Sequence, residues 1–364
     1  MTARARGLLA LTLTLAACTP SFAQTPDAAD SLAAALDENA PRWLAEHHVP
    51  SMAIAYIHDG RVRWTRVYGE QAQGVPATER TLYNVASLAK PVFAETMLRL
   101  AADGRLSLDE PLAGAWVDPD VAGDPRHQRL TVRIALSHRT GFPNWRPQNG
   151  GVLKFDRDPG TDLGYSGEGF EYARRFAQNK LGTPWEALAE QYVLRPFGMR
   201  STAFSRRDWF AGRIAVPYGP EGQWGAPSVK DSALASDDLY TTVGDYAAFL
   251  VGVMNRDGLA PAFAAQRDSV HVVNPRGGGN CAAGAACPRV GMGLGWEIIQ
   301  FPGETVRMHT GSDWGEKSMA FYFAESGGGV VMFTNGEAGM KVMLQALVTL
   351  FPDTQLAADV RRHL

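Results

Sequence analysis

The chain has 364 residues, 45% of them hydrophobic and 20% charged, with 35 Lys+Arg set against 38 Asp+Glu and a formal net charge of −3 at pH 7. That composition excludes a fibre, a disordered chain and a small disulfide scaffold, and it offers nucleic acid no electrostatic attraction. The length fits about two domains, or one large core built from interleaved parts.

The first 23 residues read as an export signal. Arg4 and Arg6 precede an apolar run from Gly7 to Ala17 that is too short to span a bilayer as a mature helix. Two cutting sites stay open. Ser21-Phe22-Ala23 carries the small residues that suit soluble secretion, whereas Leu15-Ala16-Ala17-Cys18 resembles a bacterial lipobox. Cutting at the lipobox would leave a lipid anchor on Cys18. The expected location is therefore exported: periplasmic, secreted or lipid-anchored. No later apolar stretch reaches 18 residues.

Residues 27–48 carry Leu32, Leu36, Trp43 and Leu44 at helical spacing and stop before Pro50. Two β-rich runs, 51–57 and 61–68, follow on either side of Asp59-Gly60, a dipeptide suited to the positive φ of a hairpin turn. Helical patterns then dominate at 87–103, 129–137, 168–181, 185–194 and 242–254. Pro143, Pro159, Pro217, Pro220 and Pro227 mark long loops among them. Short strands return at 294–299, 305–309, 317–323 and 330–334, before a last helix at 338–351. The expected architecture is α+β: a discontinuous sheet domain from 24–85 and 288–364, with a mainly helical domain at 86–287.

After removal or lipidation of Cys18, only Cys281 and Cys287 remain, in a Gly/Ala-rich loop. In an oxidising compartment they are a candidate disulfide; two free thiols are the alternative. They lack a second ligand pair for a metal. The adjacent His47 and His48 point in different directions on a helix and read as ordinary histidines. There is no Gly-x-Ser-x-Gly elbow, His-Glu-x-x-His or P-loop, and Gly291-Met292-Gly293-Leu294-Gly295 lacks dinucleotide spacing. A metal hydrolase and a nucleotide enzyme are therefore not expected.

Ser87-Leu88-Ala89-Lys90 carries more chemistry. A three-residue spacing on a helix puts both side chains on one face, where the lysine amine can take the serine proton once burial disfavours its own charge. Pro91 is tolerated only near a helix start, which places Ser87 where backbone N–H groups favour a developing anion. Taken alone, the pair is equally at home on an exposed helix.

With these residues in place, the sequence resembles the serine β-lactamase and penicillin-binding-protein superfamily, and within it the class C-like branch of esterases, D-amino-acid peptidases and β-lactamases. Ser87-x-x-Lys90 is the first motif. Tyr165-Ser166-Gly167 is similar to the branch's Tyr-x-Asn loop, and His309-Thr310-Gly311 stands in place of Lys-Thr-Gly. Supporting segments are Leu136-Ser137-His138-Arg139-Thr140-Gly141, Pro196-Phe197-Gly198-Met199 and the run from Leu239 to Tyr246, so that the resemblance spans about residues 30–350. Outside the resemblance, His138 reads as a packing or turn residue. Trp145, Trp209, Trp224 and Trp314 either line a cleft or anchor packing.

The resemblance implies an antiparallel sheet flanked by helices, a helical domain, and an active site between them that needs no cofactor. It implies that Ser87 attacks a carbonyl, that Lys90 and Tyr165 share the proton transfers, and that the N–H groups of Ser87 and Ser312 form the oxyanion hole. His309, Thr310, Gly311 and Gly167 would contact substrate. Two departures bear on which substrate. Gly167 removes the amide that would hold an acylamino group, and His309 replaces a lysine with an imidazole expected to carry only part of a charge near neutral pH. Both turn the expectation from a dedicated β-lactamase toward an exported esterase, amidase or D-aminoacyl peptidase acting on a small ester, amide or peptide. A β-lactamase or D,D-peptidase, and a non-catalytic envelope binding protein, are the alternatives.

Overall fold

The structure, a computed structural model, describes residues 28–275, 277 and 288–364. The export signal with its two cutting sites, and the Cys281–Cys287 pair, lie outside the described residues.

Two strands at each end of the folded chain set up the sheet. β1 (Ser51–His58) and β2 (Arg61–Ala72) form the hairpin at Asp59-Gly60, where both turn residues have positive φ, 52° and 66°. β1 also pairs antiparallel with a strand almost 300 residues away, Met52 opposite Thr334. Eleven short strands are described. After β1 and β2 come β3 (Val75–Pro76), β4 (Tyr83–Asn84), β5 (Tyr240–Thr241), β6 (Val272–Val273), β7 (Arg289–Met292) and β8 (Glu297–Phe301). β9 (Glu304–Asp313), β10 (Glu316–Phe323) and β11 (Gly329–Thr334) complete the set. Nine of them form one antiparallel sheet in the order β3-β2-β1-β11-β10-β9-β8-β7-β6; β4 and β5 pair separately.

The alternation of side chains across β1 explains the layers. Met52, Ile54 and Tyr56 face one core together with Leu36, Trp43, Leu44, Phe321 and Met332. That core is covered by helices α1 (Ala28–Glu46), α8 (Gly339–Leu350) and α9 (Gln355–Arg361), which bring Leu36, Leu347 and Leu356 to it. Ala53, Ala55 and Ile57 face the opposite, larger core. There α2 (Ala89–Ala102), α3 (Val132–Leu136), α4 (Gly167–Leu181), α5 (Trp185–Ala189), α6 (Val243–Asn255) and α7 (Pro261–Arg267) pack. The sheet is thus buried on both sides, which is why β10 and β11 are buried along their whole length.

Several elements depart from the sequence expectation for local reasons. The helix expected over 87–103 begins as a 3₁₀ turn at Ala86–Leu88 and becomes α-helical at Ala89, with Pro91 third in line, where its missing N–H belongs to the unpaired first turn. The helix expected over 185–194 ends as a π-helical turn at Glu190–Leu194. The strand expected from residue 294 starts at 297, because Gly295, at φ 83°, turns the chain against α2. A Cβ there would fall 2.3 Å from that of Ala94. Among the described residues no helix is long and apolar enough to cross a membrane.

Candidate active site

The two-residue pairing of β4 with β5 builds the first wall. It lays Leu239 against Val85, whose N–H donates to the Leu239 carbonyl at 2.9 Å, and so brings residues 236–238 beside the turn that carries Ser87. Ala86, just before the serine, sits at φ 46°, a conformation that costs a non-glycine residue roughly 1–3 kcal/mol. Asn84 holds it there, accepting from the Ala86 N–H at 3.0 Å while donating to the buried Glu316 at 2.8 Å.

Lys90 is fully buried, and its Nζ donates to Ser87 Oγ at 2.9 Å and to the Ser236 carbonyl at 2.7 Å. The rest of its surroundings is aromatic, with the centroids of Tyr165, Phe170 and Trp145 at 4.9, 5.9 and 6.0 Å from Nζ. Both hydrogen-bond acceptors are neutral. Burial therefore lowers the amine pKa to about 8, although Asp237 and Glu171 pull it partly back up. Glu171 is itself occupied, accepting from Ala235 N, Ser236 N and Ser236 Oγ, which fixes the carbonyl that Lys90 needs.

Tyr165 stands close enough to Ser87 for the two hydroxyls to interact. Although 39% of the residue is open to the cleft, its surroundings push the phenol pKa upward: desolvation is the main cause, Asp237 and Glu297 add to it, and the interaction with Ser87 opposes it. The ring is positioned by His138, which is buried at φ 55° and stacks on it with centroids 4.2 Å apart. His138 Nδ1 accepts from the Ser166 N–H at 3.1 Å, and burial, with Lys90 and His309 nearby, keeps the imidazole neutral. His138 is thus a packing residue that touches the site. Sequence pattern alone does not say that its partner is Tyr165.

The opposite wall is β9. Gly311 is required there: a Cβ would lie 2.2 Å from the Val85 carbonyl oxygen and 3.1 Å from Ser87 N. Thr310 and Ser312, on either side, are exposed. His309 points inward, 5% exposed, donating from Nδ1 to the Thr310 carbonyl at 2.8 Å. Its bare Nε2 has no hydrogen-bond partner among the described residues. Burial first, then the Lys90 charge, lowers its pKa to about 3. The expected partial charge at neutral pH is therefore corrected: His309 is a neutral imidazole. With Tyr165, Met292, Glu297, Met308 and Thr310 it lines a small cavity of 130 Å³.

Of the four tryptophans, Trp145 stands at the site, against Lys90 and Gly167. Trp314 lies over Gly219 and Gly225, Trp224 packs edge-on to Tyr218, and Trp209 packs with Phe210 and Arg213. Among the described residues no group of three or more His, Cys, Asp or Glu forms a metal cradle.

The family model described as Beta-lactamase matches residues 29–348. The chain belongs to the beta-lactamase family. The match covers both walls of the site and the strands that carry them. Esterase EstB of Burkholderia gladioli is 29% identical over 52% of this chain and 55% of its own length. The D-alanyl-D-alanine-carboxypeptidase/endopeptidase AmpH of Escherichia coli strain K12 is 26% identical over 57% of this chain and 58% of its own length. The chain thus spans little more than half the length of these curated relatives. Fold similarity runs further. A penicillin-binding protein homologue from Pyrococcus abyssi superimposes with a TM-score of 0.73 at 21% identity, covering 90% of this chain and 78% of that one. A class C beta-lactamase gives 0.73 at 18% identity, covering 89% and 97%.

Proposed function

We propose that this protein is an exported hydrolase that cleaves small esters or amides through an acyl-enzyme on Ser87, with esters favoured over β-lactams. One observation carries the reading: a buried lysine with a depressed pKa lies 2.9 Å from a serine hydroxyl that Tyr165 also touches. Neutral Lys90 accepts the Ser87 proton as Oγ bonds to the substrate carbonyl carbon, and the N–H groups of Ser87 and Ser312 stabilise the oxyanion. The carbonyl re-forms as the leaving group departs, protonated by the Tyr165 hydroxyl, whose proton is replaced from the Lys90 ammonium. Water then attacks the acyl-enzyme with the same groups working in reverse. A phenol held above its ordinary pKa stays protonated near neutrality, which assigns the first proton to Lys90 and the leaving-group proton to Tyr165.

The ester preference rests on Gly167 and His309. Glycine offers no amide to an acylamino group, and a neutral imidazole offers no charge to the carboxylate of a β-lactam or peptide. The exposed Thr310 hydroxyl is left to contact substrate along β9. The test is burst kinetics with p-nitrophenyl acetate and nitrocefin on the purified protein and on Ser87→Ala. An ester burst lost in Ser87→Ala, with little nitrocefin turnover, is expected. Unchanged ester turnover in folded Ser87→Ala would overturn the acyl-enzyme, and fast Ser87-dependent nitrocefin hydrolysis would overturn the ester preference.

A further inference from the structure

Gly167 opens α4 without a side chain, and the space beside it is taken by Trp145. A Cβ on Gly167 would lie 2.8, 2.9 and 3.0 Å from the indole Cη2, Cζ3 and Cζ2 atoms, closer than carbons pack. The indole is held in place from both sides. Before it, Ser166 Oγ donates to the Pro143 carbonyl at 2.7 Å, the Gly167 N–H to Asn144 Oδ1 at 2.8 Å, and the Glu168 N–H to the Asn144 carbonyl at 3.1 Å. After it, Arg146 is tied to Glu168, donating its main-chain N–H to Oε1 at 3.0 Å and its guanidinium to Oε2 at 2.9 Å, and it pairs with Asp118 at 3.1 Å. Both carboxylates are buried. A loop stapled at two points to the first turn of α4 has little freedom to swing the indole away.

Trp145 also borders a separate cavity of 330 Å³ whose lining is mostly charged, with Asp118, Arg146, Glu168, Glu171 and Arg174. Its indole thus stands between that space and the Lys90 amine, 6.0 Å from the ring centroid. We propose that Trp145 is a specificity-determining residue: it fills the place left by Gly167, closes the acyl side of the site, and restricts turnover to esters of short acyl groups. The proposal rests on the hydrolase reading above. A rigid aromatic wall excludes a long chain by volume, and removing the indole frees the space that the ring itself fills beside Gly167 and Lys90.

The experiment is the ratio of kcat/KM for p-nitrophenyl octanoate to that for p-nitrophenyl acetate, in the wild type, Trp145→Ala and Trp145→Phe. A ratio within one protein is independent of the fraction folded, and the phenylalanine variant keeps an aromatic ring should the alanine variant fold poorly. The expected result is a wild type that favours acetate, a ratio raised by about tenfold or more in Trp145→Ala, and a smaller rise in Trp145→Phe. A ratio unchanged in both variants, or a wild type that already favours octanoate, would overturn the proposal. No Ser87-dependent release from either ester in the wild type would instead overturn the hydrolase reading, and the proposal with it.

Discussion

Helix α2 buries cations near both of its ends and treats them oppositely. Near the N-terminus, Lys90 is held by a hydroxyl, a carbonyl and three aromatic rings, and its pKa falls to about 8. Further along, Glu95 accepts from Arg99 at 3.0 Å and from Arg267 at 3.1 Å, and Arg267 also meets Asp268 at 2.9 Å. Burial opposes the Arg267 charge, yet Tyr322, Glu95 and Asp268 more than offset it and push its pKa upward. Burial is equally complete at Lys90 and Arg267; the partners differ. Carboxylates lock a buried cation in its charged form, where it ties α2 to α7. Neutral acceptors leave it ready to give up a proton, which is what a serine nucleophile needs beside it.

The largest expected effect comes from breaking this difference at Lys90. Lys90→Arg keeps a cation near Ser87 but not one that deprotonates, so the acylation rate should fall by about 10³-fold or more, read as the burst with p-nitrophenyl acetate. Retention within about tenfold would remove Lys90 as the base. At the other end, Glu95→Gln leaves Arg267 facing a neutral amide in a dry interior. The expected loss is about 3–5 kcal/mol of folding stability, measured from the urea midpoint, because buried Arg99 loses its carboxylate and Arg267 keeps only Asp268. A loss below about 1 kcal/mol would show that Asp268 alone holds Arg267.

How much of this was legible in the sequence depends on the range of each interaction. The β1–β2 hairpin was readable because Asp59-Gly60 is a local signal, and α1 because Leu36, Trp43 and Leu44 repeat at helical spacing. The Ser87–Lys90 contact is equally local, three positions along one helical turn. The pairing of Glu95 with Arg267 spans 172 positions and leaves no periodic trace. β4 and β5 are two residues each, too short for alternation, yet they bring up the Ser236 carbonyl, a backbone atom that no side-chain pattern announces. The protonation state of His309 is not legible in the sequence. Its unperturbed pKa suggested partial charge, but its actual state is set by burial and by Lys90, both tertiary facts.

The smallest effect is a shift in pH dependence, and it sharpens the contrast most finely. If free-enzyme Lys90 must be neutral, kcat/KM for an uncharged ester should rise about tenfold per pH unit and level off above a pKa of about 8, with no step near the ordinary histidine range because His309 lies at about 3. Asp237 is the carboxylate that acts most on Lys90, and its own pKa, raised by burial to about 6, leaves it ionised over the upper part of that limb. Its charge favours the ammonium. Asp237→Asn should therefore move the limb to lower pH, making Lys90 still less like Arg267. A limb that moves upward would mean that the asparagine hydrates the amine more than it removes charge. An unmoved limb would place the rate-controlling proton on another group.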